Sequence, residues 1–394
     1  MTRKQLVILG AGIGGLSVIH ELTQTGVDLA DVDVTVVDED FSHFLGFTLP
    51  WVMRGWRDRD SVAIHPSAAS LDDVETVTGT IEHIDPEAHR VMLSSGEHVS
   101  FDALVIATGA RNAIEKIPGL QDAVDADTAV HYYSADAAVD ANRALNEFTG
   151  GKLVFLVTGQ PYRCPVAPYE GAMLAADLLN DRGIRAATQI SIFTPEAQPM
   201  PSAGPYAGPE LVALLDENGI AFFAQHAVAR VDAERQTIHF ADDSIAEYDL
   251  LVFVPPHEPA LTLAEPGWIG VDNTSMQTRF PGIFAIGDAA AVTSPSGRPL
   301  PKAAIFAKNG AKAAAANALN YLGITDATGA LSGEGFCYVD VGGGVSAKGQ
   351  GDFFTLPHPS IHLAAPSVEL HHAKQDEERD WRALWEVPAP PATH

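Results

Sequence analysis

A glycine turn near the start constrains this chain more than any other feature. The apolar run Leu6-Val-Ile-Leu9 passes straight into Gly10-Ala-Gly-Ile-Gly-Gly15, an amphipathic stretch follows through Leu22, and a second apolar run, Val34-Thr-Val-Val37, ends in Asp38. Strand, turn, helix and strand in that order open a parallel βαβ unit. The spacing gives each glycine a task. Gly10 allows the tight bend, Gly12 lets the backbone approach a pyrophosphate, and Gly15 lets helix and strand pack closely, with Gly14 beside it in the first helical turn. The exposed N–H groups and dipole of the helix N-terminus meet phosphate charge, and Asp38 stands where an acid accepts hydrogen bonds from ribose hydroxyls. The turn predicts a dinucleotide site.

A second β-turn-α unit begins at Lys152–Gly159, with a helix expected over about 169–180. A third strand and turn, Gly282–Asp288, precede an alanine-rich helix over roughly 301–322. Alternating residues over about 74–108 suggest a small antiparallel insertion, and further βα elements are expected to about 250. The tail from 330 starts with strands around Cys337 and ends in a tryptophan-bearing helix near 371–386, after which Pro-Ala-Pro-Pro-Ala reads as a frayed end. The expected fold class is α/β, with two Rossmann-like dinucleotide-binding domains and a C-terminal α+β segment. Residues 1–115 and 250–325 would form the first domain, 116–249 the second, and 326–394 the C-terminal segment.

Composition narrows the partners. A net charge of −27 leaves no basic face for nucleic acid and no simple attraction to anionic lipid headgroups. Scarce lysine and abundant acid suit either adaptation to high salt or an ordinary acidic cytosolic protein. The longest apolar runs, such as Leu153–Val157 and Leu250–Val254, fall far short of the roughly 20 residues that cross a bilayer. Met1-Thr-Arg-Lys-Gln leads directly into the first strand without a separate apolar signal region, so the expected location is cytoplasmic, with contact at the inner face of a membrane left open. His358 and His362 are spaced as on a helix, but Pro357 and Pro359 forbid that helix, so no metal site is expected; His371-His372 reads as surface.

Two further segments specify the dinucleotide. Val105-Ile-Ala107-Thr108-Gly109 and Thr278-Arg-Phe-Pro-Gly-Ile-Phe-Ala-Ile-Gly287-Asp288 resemble the second and third flavin motifs of the two-dinucleotide-domain flavoprotein superfamily. That resemblance implies FAD, with Asp288 facing its ribityl chain. The second turn departs from the pattern: it reads Gly159-Gln-Pro-Tyr-Arg163-Cys164-Pro-Val-Ala-Pro168-Tyr-Glu170. Prolines lack the N–H donors of a phosphate cradle, which disfavours NAD(P)H as electron donor. The loop instead presents Cys164 beside Arg163 and ahead of a helix that Pro168 starts, two features that favour a thiolate.

Cys164-Pro-Val-Ala-Pro-Tyr-Glu170 resembles the cysteine loop of sulfide:quinone oxidoreductases and of the flavoprotein subunit of flavocytochrome c sulfide dehydrogenase. Phe47-Thr-Leu-Pro-Trp-Val-Met-Arg-Gly55 is similar to their segment after the ribose acid, and Cys337 falls where they place a distal redox cysteine. The resemblance implies that Cys164 and Cys337 meet at the flavin. There sulfide or polysulfide would open a disulfide between them, with electrons passing through FAD to a membrane quinone. Glu170 would shuttle protons, and Lys302, read as opening the alanine-rich helix, would stabilise reduced flavin. Phe41–Phe47 holds no cysteine, so FAD is expected to be non-covalent; His131-Tyr-Tyr133 lacks the third cysteine of some members. Rival readings are an NADH:quinone-type flavin reductase and a redox-sensing or electron-transfer flavoprotein. The final helix, with Trp381 and Trp385, would touch either a membrane or its own protein. Homo-oligomerisation stays open.

Overall fold

The structure, a computed structural model, describes residues 3–24, 26 and 29–386. The terminal Pro-Ala-Pro-Pro-Ala lies outside the described residues. The first sheet runs Ile283–Ala285, Ala103–Ile106, Lys4–Leu9, Val32–Asp38, Glu75–Thr78, all parallel. Leu6 to Leu9 and Ala103 to Ile106 are fully buried, as continuous apolar strands with both faces covered must be. Helix Ile13–Gln24 packs against helix Ala304–Tyr321, whose Ala311, Ala314, Ala315 and Ala318 are all buried. The expected insertion is an antiparallel meander of Ile81–Asp85, Arg90–Leu93 and His98–Ser100.

The second sheet runs Ala129–Val130, Leu250–Val254, Gly151–Val157, Thr188–Phe193, Ile220–Phe223, again parallel. It corrects the expected boundary at 250. Leu250–Val254 lies between two strands of the second domain, and the chain crosses back only where His257–Pro259 pairs antiparallel with Ala110–Asn112. Nor does the segment before 250 continue as βα units. Val228–Asp232, Thr237–Phe240 and Ile245–Glu247 form a second meander. Val154, Leu156, Leu251 and Phe253 face it, while Leu153, Phe155, Leu250 and Val252 face the larger core, the alternation of a strand buried on both sides.

The C-terminal segment is an antiparallel sheet of Glu334–Gly342, Val345–Asp352 and Leu363–Ser367, followed by helix Val368–Trp385. Ser367 caps that helix by accepting from the Leu370 amide at 3.2 Å. Trp381 and Trp385 are buried, and Trp381 Nε1 donates to His43 Nε2 at 3.0 Å. The tryptophan face therefore docks on the first domain rather than presenting itself to a membrane. No helix among the described residues is long and apolar enough to cross a bilayer.

Candidate functional site

The glycine turn takes the form its spacing predicts. Gly10 has φ +94°, and a Cβ there would meet the Ala107 carbonyl oxygen at 2.7 Å; a Cβ on Gly15 would overlap the Gly10 carbonyl oxygen. A Cβ on Gly12 would meet nothing within 4 Å, and Gly12 lines a cavity of about 600 Å³. Asp38 accepts from the Ala11 amide at 2.6 Å and the Phe41 amide at 2.9 Å, so one carboxylate fixes both the turn and the exit of its own strand. Thr108 Oγ1 is buried in the wall with no partner.

Of the candidate catalytic and cofactor-binding residues, all but Gly15, whose part is packing, line this cavity. Gly10, Gly12, Gly14 and Asp38 come from the first unit, Ala107, Thr108 and Gly109 from the second flavin-like motif, and Gly287, Asp288 and Lys302 from the third. Cys164, Glu170 and Cys337 complete it. Cys164 is held at φ +58°, with its amide donating to the Lys302 carbonyl at 2.8 Å and its carbonyl accepting from Ala167 at 3.0 Å. Cys337 sits on strand Glu334–Gly342. Both are free thiols.

The thiolate expected at Cys164 is not what the surroundings favour. Burial, then the charge of Glu170, push its pKa up to about 11; Lys374 and the Val166 and Ala167 amides pull the other way and lose. Those amides are the helix N-terminus anticipated from Pro168, but Arg163 spends its guanidinium on Asn112 Oδ1 at 2.7 Å and the Tyr133 carbonyl at 2.8 Å. Burial, then the neighbouring Cys164 and Glu170, raise Cys337 as well. Lys302 also differs from its reading. The helix starts at Ala304, and the ammonium donates to the carbonyls of Asp288 at 2.7 Å and Ala290 at 3.3 Å, 3.6 Å from the centre of the Trp268 ring. It therefore braces the Gly287-Asp288 turn.

Glu170 is no solvated first-turn acid. It is 1% exposed and paired with Lys374, itself 1% exposed, whose Nζ also donates to Asp340 Oδ2 at 2.7 Å. Asp340 further accepts from Trp51 Nε1 at 2.6 Å and from Ser346, and its Oδ1 lies 2.8 Å from His371 Nδ1. His371 is thus buried, not surface; only His372 is exposed. Burial would raise Asp340, but Lys374 and the donors from His371, Lys374 and Ser346 hold it well below the usual carboxylate range. Burial would lower Lys374, but Glu170 and Asp340 hold it above its ordinary value. One cation serves two acids, so Glu170 takes the surplus as a proton. Burial lifts it from 4.5 to about 8 against the pull of Lys374. The folded chain keeps that proton where the unfolded chain has lost it, so this group's contribution to stability falls as pH rises from 4.5 to about 8. Glu170→Gln cannot titrate, so its melting temperature should gain on the wild type's across that window. A constant difference between the two melts at both ends of the window would refute the assignment.

Lys374, Asp340 and Trp51 carry no site role in the sequence reading, and His371 is read there as surface. One signal was present: the buried side of the last helix is His371, Lys374, Glu378, Trp381, Trp385, steps of three and four leading back from the tryptophans. The histidines at 358 and 362 go to separate partners, the Pro359 carbonyl at 3.0 Å and Glu210 at 2.7 Å. In the altered second turn, Glu196 accepts from Gln160 at 2.8 Å, Tyr162 at 2.9 Å, Tyr169 at 2.6 Å and Thr194 at 3.2 Å.

Comparison with known proteins agrees with this geometry. The chain is 23% identical over 320 residues to the mitochondrial sulfide:quinone oxidoreductase of Mus musculus, covering 74% of this chain and 69% of that protein. It is 24% identical over 321 residues to the sulfide-quinone reductase of Aquifex aeolicus, covering 76% and 71%. The solved structure of the sulfide:quinone oxidoreductase from Aquifex aeolicus superposes with a TM-score of 0.84 at 20% identity, over 98% of this chain and 93% of that one. The sequence pattern described as pyridine nucleotide-disulphide oxidoreductase matches residues 4–311. With the glycine turn, the paired sheets and the cysteine-bearing cavity in place, that match shows that the chain belongs to the pyridine nucleotide-disulphide oxidoreductase family.

Proposed function

We propose that this chain oxidises sulfide at Cys164 and Cys337 and passes the electrons through non-covalently bound FAD to a quinone. The observation that carries the reading is the convergence of two cysteines, remote in sequence, on the cavity that also receives all three glycine-bearing turns. The residues fit FAD. Gly12 leaves open space for a pyrophosphate, Asp38 lines the cavity where it would meet the ribose, and Thr108 Oγ1 is a buried hydroxyl still lacking a partner. Phe41–Phe47 supplies much of the adjoining wall and has no cysteine to form a covalent link. NADH as donor is disfavoured because Glu196, which follows the second unit's second strand, is already taken up by four side chains.

When bound, FAD supplies a two-electron carrier between the cysteines and the quinone. The protein's part is the sulfur chemistry. HS⁻ adds to one sulfur of the oxidised Cys164–Cys337 pair, breaking the S–S bond to leave a persulfide and a thiolate. A second HS⁻ removes the sulfane sulfur as HSS⁻, and the two thiols return to the disulfide. Two HS⁻ thus become HSS⁻, one proton and two electrons. Glu170, with its pKa raised to about 8 beside Cys164, is placed to relay that proton, giving up its own as it takes the new one, and Lys374 offsets the charge of its carboxylate form. Contact with a quinone-bearing membrane is then peripheral and falls to residues other than the buried Trp381 and Trp385.

Anaerobic titration tests the reading. Sulfide should bleach the FAD-loaded protein, a short-chain ubiquinone should restore the colour, and NADH should do neither; bleaching by NADH but not by sulfide would overturn it. Gly12→Ala tests the cofactor position. Its methyl meets no protein atom, so the flavin-free chain should melt as the wild type does, while FAD retention should fall at least about tenfold as the methyl takes pyrophosphate space. Unchanged retention, read as flavin absorbance per chain after gel filtration, would refute that position.

A further inference from the structure

We infer that Glu196 is the positioning residue of the Cys164 loop, so that the acid end of the lost nucleotide site now holds the redox cysteine in place. The inference rests on the reading of Cys164 as the thiol that meets sulfide. Its basis is topological. Thr188–Phe193 lies beside Gly151–Val157 as Val32–Asp38 lies beside Lys4–Leu9, so Glu196 follows the second strand of its unit much as Asp38 ends that of the first. Asp38 braces its own turn through the Ala11 amide. Glu196 braces its turn through side chains.

Those side chains bracket Cys164. Gln160 and Tyr162 precede it in the loop, Tyr169 follows it in the first turn of helix Ala167–Asp181, and all three donate to the Glu196 carboxylate. Thr194 Oγ1 adds a fourth donor; the Thr194 amide donates to the Phe223 carbonyl of the sheet and the Glu196 carbonyl accepts from the Gln225 amide just beyond it. Glu196 is 5% exposed, and both tyrosines are buried. A buried carboxylate with four donors is costly to disturb in any of them. The loop needs such a brace, because a non-glycine residue at φ +58° persists only where its surroundings over-determine it. Backbone bonds to Lys302 and Ala167 hold Cys164 itself, and the Glu196 cluster holds the two arms leading to it.

The test separates position from mere folding. In a Cys337→Ser background, iodoacetamide reports on Cys164 alone. Glu196→Gln should loosen the loop, so alkylation speeds up severalfold and its pH midpoint moves down from the burial-raised value of about 11. With both cysteines present, sulfide should reduce the flavin about tenfold to a hundredfold more slowly, the scale of loss from a slightly misplaced reacting group, while reoxidation by ubiquinone is unchanged. Tyr169→Phe keeps the ring, deletes only the 2.6 Å bond, and should shift alkylation the same way by less. Should Glu196→Gln fail to fold, Tyr169→Phe alone decides between brace and bystander. Alkylation rate and pH midpoint equal to the parent's would overturn the inference. If sulfide reduces no flavin in any form while alkylation still shifts, the sulfide reading falls and the brace stands.

Discussion

Cys164→Ser is expected to slow sulfide-dependent flavin reduction by roughly 10³-fold or more while leaving reduction by dithionite intact. The change is small in structure. Serine fits the cysteine site, and both backbone bonds that hold residue 164, to Lys302 and from Ala167, remain. What disappears is the sulfur that HS⁻ must attack or displace. Cys337→Ser should cost about as much, because neither cysteine forms the reacting bond without the other. The double variant should be no slower than either single one, as groups acting as a unit lose their function together. Stopped-flow absorbance of the flavin measures all three. A Cys164→Ser protein that keeps the full rate, or a double variant slower by the product of the single losses, would show that the cysteines do not act as a pair.

The parts of this site legible in the sequence are those written locally. The glycine turn, Ala107-Thr108-Gly109 and Gly287-Asp288 each combine a strand end with a backbone requirement, φ +94° at Gly10 and +61° at Gly287, that leaves a mark within a few residues. Cys164 stood out because prolines replaced glycines around it. What stayed hidden depends on pairs that spacing does not encode. Lys374 meets Glu170 across 204 positions and Trp51 meets Asp340 across 289, and nothing in either local context names the partner. The same blindness affected charge. A helix N-terminus and an arginine beside Cys164 argued for a thiolate, but burial, a tertiary property, outweighs the first, and Asn112 and Tyr133 occupy the second. The boundary at 250 is illegible for a related reason: the run Leu250–Val254 looks the same whichever sheet receives it.

Lys374→Met should cost about 3–5 kcal/mol of folding stability, the scale for removing one partner from a buried charge group. Lys374 is 1% exposed, and methionine retains most of its aliphatic volume, so the loss comes from charge rather than from a cavity. Asp340, held ionised by Lys374 and its other donors, would keep a buried negative charge facing Ser346, His371, Trp51 and the Glu170 carboxyl. Glu170 would lose the pull that now limits its rise, and so keep its proton further into alkaline pH. The companion variant Lys374→Met/Asp340→Asn removes cation and anion together. It should be more stable than Lys374→Met alone, since an isolated buried charge costs more than an absent pair. Denaturant melts of the two settle the matter; a single variant as stable as the wild type, or a double variant less stable than the single, would refute the charge argument. The effect should also reach the chemistry, because Lys374 ties the helix after Cys164, the strand that carries Cys337 and the last helix to one ammonium. It also lowers the pKa of both thiols against their burial. Without it, Cys164 ionises less readily, so any sulfide-dependent flavin reduction that survives in folded Lys374→Met should need a higher pH.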